Sequence, residues 1–272
     1  MPELPEVETI KRYLNKAISG KRIVNIEILS KKQFPDNPKE VIGAKILLVK
    51  RRAKNLIINL SNKKALVVHL KLSGQLIWER KAKIPVKSTR VIISLNGGKL
   101  FFNEMRKFGW IKILNQNQLD LELARFGPEP FSRDFSIEYL QKAFGGASRP
   151  IKTILLDQEK IAGIGNIYAN EALFEAKINP QKSANKLTAI EIGKLQKAIL
   201  LVLKEGIKYG GASAADQMYI RPDSSHGSYQ QHFRIYQKDG EKCRKCKAIV
   251  KRISLGGRGT FFCPRCQPRR QR

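Results

Sequence analysis

The chain has 272 residues, enough for two domains that each bury a core, and its 42 % hydrophobic content is that of a globular protein. Lys and Arg number 52 against 23 acidic residues, a formal charge of +29 that would repel itself in the compact state unless a polyanion is the usual partner. Nucleic acid is the default partner and an acidic membrane surface the competitor; no apolar run reaches the ~18 residues of a membrane span, and the N-terminus lacks a secretory apolar stretch.

The chain opens Met1-Pro2-Glu3-Leu4-Pro5-Glu6-Val7-Glu8-Thr9. If Met1 is removed, Pro2 exposes a secondary amine; an α-amino group has a reference pKa of about 7.7–8.0, so a sizeable fraction is unprotonated near neutrality. Such an amine attacks electrophilic carbon and can form only a charged iminium, an electron sink for elimination at the neighbouring carbon. Glu3 is near enough to deliver or take a proton. The same residues also read as an ordered helix lead-in whose glutamates complement the helix dipole.

Val7, Ile10 and Leu14 recur at helical spacing over residues 5–19, and Gly20 closes the run. The period then changes. Short aliphatic runs at 22–29, 44–49, 56–60, 65–70, 75–78, 91–95, 100–103 and 110–114 are separated by turn residues such as Asn96-Gly97-Gly98. Strands in series with no helix between them indicate an antiparallel sandwich or barrel. Residues 126–133 (FGPEPFSR) read as a linker. Beyond it the pattern is helical at 136–143, 151–157 and 166–175, and Thr188-Ala189-Ile190-Glu191 is a capping box opening a long helix that Gly210-Gly211 ends. Residues 212–231 read as a mobile loop. The expected fold is α+β with a β-sandwich domain at 1–125, the linker at 126–133, a helical domain at 134–231 and a small module at 232–272.

That module carries Cys243-x2-Cys246-x16-Cys263-x2-Cys266, two knuckles spaced to converge on one tetrahedral zinc from β-hairpin tips. With all four ligands from protein the site is structural, and cysteines confined to it indicate a reducing cytoplasm rather than a disulfide framework. Zinc replaces the core that so small a module cannot build. Arg258, between glycines at an expected hairpin tip, suits a phosphate or a reacting sugar, or is a solvated surface arginine. In Gly163-Ile164-Gly165-Asn166 two glycines hand over to a helix whose first N–H groups are unpaired, a phosphate-binding geometry that is also a common structural turn. Asn166 adds a donor there and Lys152 a charge. Leu72, Arg106 and Phe108 sit at sheet turns where an apolar wedge and a cation could enter a DNA stack; on their own Leu72 and Phe108 read better as core, and His69 as a hydrogen-bonded structural histidine.

Taken together, MPELPEVET, RRAKNL, HLKLSG, RKFGW, the DQ…GIGNIYANEALF block and GGRGTFFCPRCQ resemble the bacterial formamidopyrimidine-DNA glycosylase family, in order and over almost the full length. The resemblance implies a helix–two-turn–helix domain with a zinc finger beyond it, and Pro2 as the nucleophile that attacks C1′ of an extruded nucleotide. Glu3 then matches the acid at the sugar ring oxygen and Glu6 a supporting carboxylate. Lys54 matches the lysine on the lesion strand, and Arg258 the finger arginine assigned to the second elimination. Lys152 and Asn166 match phosphate contacts, His69 and Lys87 fall among the DNA contacts, and Leu72, Arg106 and Phe108 match the trio that fills the gap left by the flipped nucleotide. Leu72 stands where methionine is common, Lys107 where arginine is, and Lys87 and Arg90 where histidines often are. The 212–231 loop departs from the family pattern.

The implied protein is a cytoplasmic, nucleoid-associated monomer with one structural zinc, acting on duplex DNA that contains damaged bases or abasic sites. Its reaction would be excision of oxidised purines (8-oxoguanine and formamidopyrimidines) followed by β,δ-elimination. The alternatives are the same mechanism with a preference for oxidised pyrimidines, and a non-catalytic DNA-binding module. The basic tail, 269–272, either adds to binding or is a loose end.

Overall fold

The computed structural model describes residues 1–81, 84–213 and 219–269. The chain divides into two compact units, Met1–Arg125 with Gly206–Gln230, and Phe126–Glu205 with Gln231–Arg272.

In the first unit, helix α1 (Leu4–Ile18) buries Leu4, Val7, Ile10, Leu14 and Ile18, the side chains that recur every three or four positions along one face. Eight strands follow: β1 (Ile23–Ile28), β2 (Ile46–Arg52), β3 (Asn55–Leu60), β4 (Lys64–His69), β5 (Gln75–Glu79), β6 (Thr89–Leu95), β7 (Gly98–Asn103) and β8 (Trp110–Asn115). They are the runs expected from the turn residues. They form two antiparallel four-stranded sheets, ordered β1-β6-β7-β5 and β2-β3-β4-β8. The core between them joins α1 to Leu56, Ile58, Leu66 and Val68 of one sheet and to Leu76, Val91, Ile93 and Phe102 of the other.

Strands β3, β4 and β6 read as nearly continuous apolar runs because their outer faces are covered too, whereas β1 and β2 leave theirs exposed. Ile57, Ala65 and Val67 pack under Leu119 of helix α2 (Gln116–Ala124). On the other sheet Ile77, Ile92 and Phe101 pack with Ile220, which arrives from the distant 206–230 segment. Helix α2 was not expected from the sequence. Its start is a capping box in which Asn115 Oδ1 accepts from Gln118 N–H and Gln118 Oε1 accepts from Asn115 N–H.

The second unit holds α3 (Ile137–Gly145), α4 (Ile151–Leu155), α5 (Asn166–Glu175), α6 (Ala189–Lys208) as far as Glu205, and the hairpin β9 (Lys251–Leu255) with β10 (Arg258–Phe262). The capping box at Thr188 is present, with Glu191 Oε2 accepting from Thr188 N–H at 2.8 Å and Thr188 Oγ1 from Glu191 N–H at 3.3 Å. Residues 126–133 are bonded into this unit, Gly127 N–H donating to Gln158 O and Pro128 O accepting from Ala162 N–H. The α+β class with an antiparallel sandwich, a helical region and a terminal finger is the one expected. No helix of the described residues is long and apolar enough to cross a membrane.

The loop expected to be mobile is anchored where it is described. Ser213 Oγ accepts from Gly227 N–H and donates to Tyr219 O, Pro222 O accepts from Trp78 N–H, and Tyr219 and Tyr229 are buried. Its residues 214–218, and 270–272 of the basic tail, lie outside the described residues.

Candidate functional site

The head of α1 is held by carboxylates. Pro2 is buried beneath an exposed Met1, and Glu3 and Glu6 are almost fully buried. Glu3 and Glu6 form a capping box, with Glu3 N–H donating to Glu6 Oε2 at 2.8 Å. A cap of this kind contributes about 1 kcal/mol and fixes where the helix begins. Glu6 Oε1 accepts from Ala212 N–H at 2.8 Å. The Tyr219 hydroxyl donates to Gly210 O at 3.0 Å; burial, and then the Glu6 carboxylate, push its phenol up, so it stays a neutral donor. The acids thus cap the helix and also surround its start.

The β2–β3 turn carries Lys54, only 6 % exposed, directly after Ala53, whose φ is +53°. Arg51 braces this turn, its Nη1 donating to Ala53 O at 2.9 Å and its Nε to Glu8 Oε2 at 3.2 Å. Burial raises the Glu8 carboxyl, but Arg12, Arg51 and Lys11 together hold it below the usual carboxylate range. A charged pair thus links α1 to the lysine-bearing turn.

His69 ends β4, where its Nδ1 accepts from Lys71 N–H at 3.0 Å. Burial first, then Lys71, Lys54 and Arg125, push its imidazole down to about 3. It is therefore neutral, with the remaining proton on Nε2. Leu72 is half-buried, while Arg106 and Phe108 are exposed, Phe108 at 58 %, so Phe108 is not core. Lys87 is exposed. Arg90 donates instead to the carbonyls of Glu104 and Lys87, which makes it part of the loop scaffold.

In the second unit Lys152 corrects the expectation drawn for it. It is 0 % exposed, and its Nζ donates to Gly259 O at 2.8 Å and to Thr260 Oγ1 at 2.7 Å. A buried ammonium needs such acceptors; Lys152 holds the finger strand and does not present charge to a phosphate. Asn166 Nδ2 donates to the same Gly259 carbonyl, and Asn170 Oδ1 accepts from Phe261 N–H. Glu171, fully buried on α5, accepts from the N–H groups of Arg234, Ile235 and Tyr236 at 2.9 Å each. Burial pushes its carboxyl up, and these donors with Arg234 pull it back. Gln158 closes the glycine turn, accepting from Gly163 N–H and donating to Ile164 O.

Arg258 is exposed at the start of β10, after Gly256 and Gly257 at φ +57° and +69°, a turn that L side chains rarely adopt. The cysteine knuckles flank this hairpin at its base, away from its tip. Their four sulfurs lie within 4.8 Å of one another, with Cys243 Sγ 3.9 Å from Cys266 Sγ and Cys246 Sγ 3.3 Å from Cys263 Sγ. Zn–S bonds of about 2.3 Å in a tetrahedron give S···S edges of about 3.8 Å, so the set fits one zinc. Burial, then the neighbouring sulfurs, push the Cys266 thiol up to about 12, while the Ala248 N–H draws Cys246 down to about 7.

Sequence reasoning missed Glu8, Arg51, Ser73, Glu104, Asn170 and Glu171, whose partners, apart from those of Glu8 on its own helix, lie mostly far away along the chain. Only Glu104, the acid just before the RKFG turn, has a local signal.

Comparison with known proteins agrees with this organisation. Residues 1–111 match the formamidopyrimidine-DNA glycosylase N-terminal domain, 126–218 the formamidopyrimidine-DNA glycosylase H2TH domain, and 240–269 the zinc finger found in FPG and IleRS. The formamidopyrimidine-DNA glycosylase of Carboxydothermus hydrogenoformans is 39 % identical over 272 residues, covering 98 % of this chain and all of the relative. The MutM (Fpg) protein of Thermus thermophilus superposes with a TM-score of 0.91 at 36 % identity, covering 99 % of this chain and all of that one. Lactococcus lactis Fpg in complex with abasic-site DNA superposes with a TM-score of 0.92 at 34 % identity, covering 98 % and 100 %. A sandwich led by a proline-headed helix, an H2TH segment and a four-cysteine finger define a DNA glycosylase of DNA repair. The chain belongs to the formamidopyrimidine-DNA glycosylase family.

Proposed function

We propose that this protein is a bifunctional DNA glycosylase and abasic-site lyase that removes oxidised purines, 8-oxoguanine and formamidopyrimidines, from duplex DNA. The observation that carries the reading is the acid-walled start of α1, where Pro2 precedes the Glu3–Glu6 capping box and Glu8 reaches through Arg51 to the turn bearing Lys54.

With Met1 removed, the Pro2 nitrogen forms a bond to C1′ as the N-glycosidic bond breaks, the base leaving with a proton. Glu3 protonates the ring oxygen, the sugar opens and an iminium remains. Loss of the C2′ proton expels the 3′ phosphate, a second elimination expels the 5′ phosphate, and water releases the sugar fragment from Pro2. Lys54 assists proton transfer and Arg258 grips phosphate for the second elimination. Leu72, Arg106 and Phe108 fill the vacated stack, offsetting the few kcal/mol that extrusion costs. Asn166, Lys87 and His69, the last as a neutral Nε2–H donor, contact the backbone. Lactococcus lactis Fpg has been crystallised with abasic-site DNA and a mutant of it with Fapy-dG DNA, which supports this substrate class. The same protein with an oxidised-pyrimidine DNA keeps pyrimidine preference as the second reading.

Borohydride trapping on abasic DNA is the test. A covalent adduct in the wild type that is lost in Pro2→Gly supports the lyase. A wild type that gives none, or a mature chain found by mass spectrometry to retain Met1, leaves only a DNA binder. Excision from defined duplexes then decides the substrate, and faster release of thymine glycol than of 8-oxoguanine would reverse the purine assignment.

A further inference from the structure

We infer that Ser73 and Glu104 are positioning residues that join the Leu72 turn and the Arg106–Phe108 turn into one preformed insertion unit. The inference rests on the proposed stack-entering role of Leu72, Arg106 and Phe108.

Glu104 follows β7 and is fully buried. Its Oε1 accepts from Arg106 N–H at 2.9 Å and from the Ser73 hydroxyl, and its Oε2 accepts from Gly109 N–H at 2.9 Å. Ser73, 2 % exposed and adjacent to Leu72, also accepts from Arg106 N–H at 3.1 Å. One carboxylate and one hydroxyl therefore tie two turns some 30 positions apart in the chain (|i−j| of 31 between Ser73 and Glu104). A buried carboxylate is tolerated only when its oxygens are met by donors, so losing any one of them is costly.

The far side of the same turn is fixed as well. Lys107, at φ +56°, has its carbonyl held by Gln33 Nε2 at 2.9 Å, and Arg90 Nε donates to Glu104 O at 2.9 Å. A Cβ on Gly109 would lie 2.6 Å from Glu104 Oε2, so only glycine lets the backbone approach the carboxylate this closely. With the backbone pinned at these points, Met105 and Phe108 stand 52 % and 58 % exposed. An unrestrained loop would fold such side chains against the protein surface. Holding them outward removes the ordering cost from the binding step. Leu72 and Phe108 are then coupled through Ser73 and Glu104, whether or not they touch.

The test is a double-mutant cycle on affinity for a duplex bearing a tetrahydrofuran abasic analogue, which blocks chemistry. Leu72→Ala and Phe108→Ala each weaken binding, and together they lose less than the product of the two losses by about fivefold. In a Ser73→Ala background, which leaves Glu104 bonded to Arg106 and Gly109, that factor falls to about one, and Glu104→Gln does the same where it folds. Losses that multiply in the wild type, or a coupling that survives Ser73→Ala, overturn the inference and leave the wedge reading standing. Single variants that bind as tightly as wild type overturn both.

Discussion

The sandwich and the finger each hold a small exposed tip still, by different physical means. Around the sandwich turns, rigidity rests on a large apolar core in which Phe102 and Leu76 are fully buried and β7 is paired with β5 on one side and β6 on the other. The finger's apolar cluster is small and includes two of its own metal ligands, Cys243 and Cys263. It is fastened instead by polar bonds from its unit, including Lys152 to Gly259 and Asn170 to Phe261 from helices and Asn179 to Gln267 from the loop after α5. Where apolar area is scarce, a metal and buried hydrogen bonds set the geometry, and the two regions should fail under different insults.

The largest effect expected is from zinc removal. Structural zinc contributes about 10–16 kcal/mol in isolated finger peptides. Chelation should therefore open residues 240–269 to protease while the sandwich keeps its own thermal transition; a finger still protected without metal would erase the contrast. Next comes Phe102→Ala, which empties a core site of a 0 % exposed side chain and should cost about 4 kcal/mol by denaturant unfolding with the finger intact. Lys152→Met should cost about 2 kcal/mol through the orphaned acceptors on β10. It should leave the dependence of log K on log salt unaltered, whereas Arg258→Ala should make that slope shallower by about 0.9 if Arg258 neutralises one phosphate. A slope change in Lys152→Met would restore it as a phosphate contact.

A last effect, confined to acid and absent at neutral pH, concerns His69. The His69 imidazole titrates near 3 in the folded protein and near 6.5 when unfolded, so above pH 6.5 it is neutral in both states and contributes nothing. As pH falls from about 6.5 toward 3 the unfolded chain takes a proton that the fold refuses, and stability drops by at most about 1.4 kcal/mol per pH unit. His69→Asn should flatten that part of a stability-versus-pH curve, and an unchanged slope would show that the histidine protonates in place.

The strands were legible because each is bounded by turn residues such as Asn96-Gly97-Gly98, and the cysteine spacing states its own chemistry. Helix α2 was not, since it buries only Leu119 and so has no apolar stripe; the Asn115–Gln118 box was the available signal. Lys152 was misread because an ammonium on a helix looks solvated until a strand 107 positions away covers it. Glu171 escaped for the same reason, its donors Arg234, Ile235 and Tyr236 being distant in the chain, whereas for Glu104 Ser73 is distant but Arg106 and Gly109 are near. A buried acid is recognised by its donors, and most of these lie on segments that sequence order keeps apart.

The bond between Ala212 N–H and Glu6 gives the first helix a partner made very late. At about 5–20 residues per second, ribosomal synthesis takes on the order of ten seconds or more between these two positions. Until residue 212 emerges, the Glu6 carboxylate is missing one donor and the front of the chain is unfinished. The head of the first helix is therefore complete only once residue 212 has been made, and products truncated before it carry an incompletely assembled head.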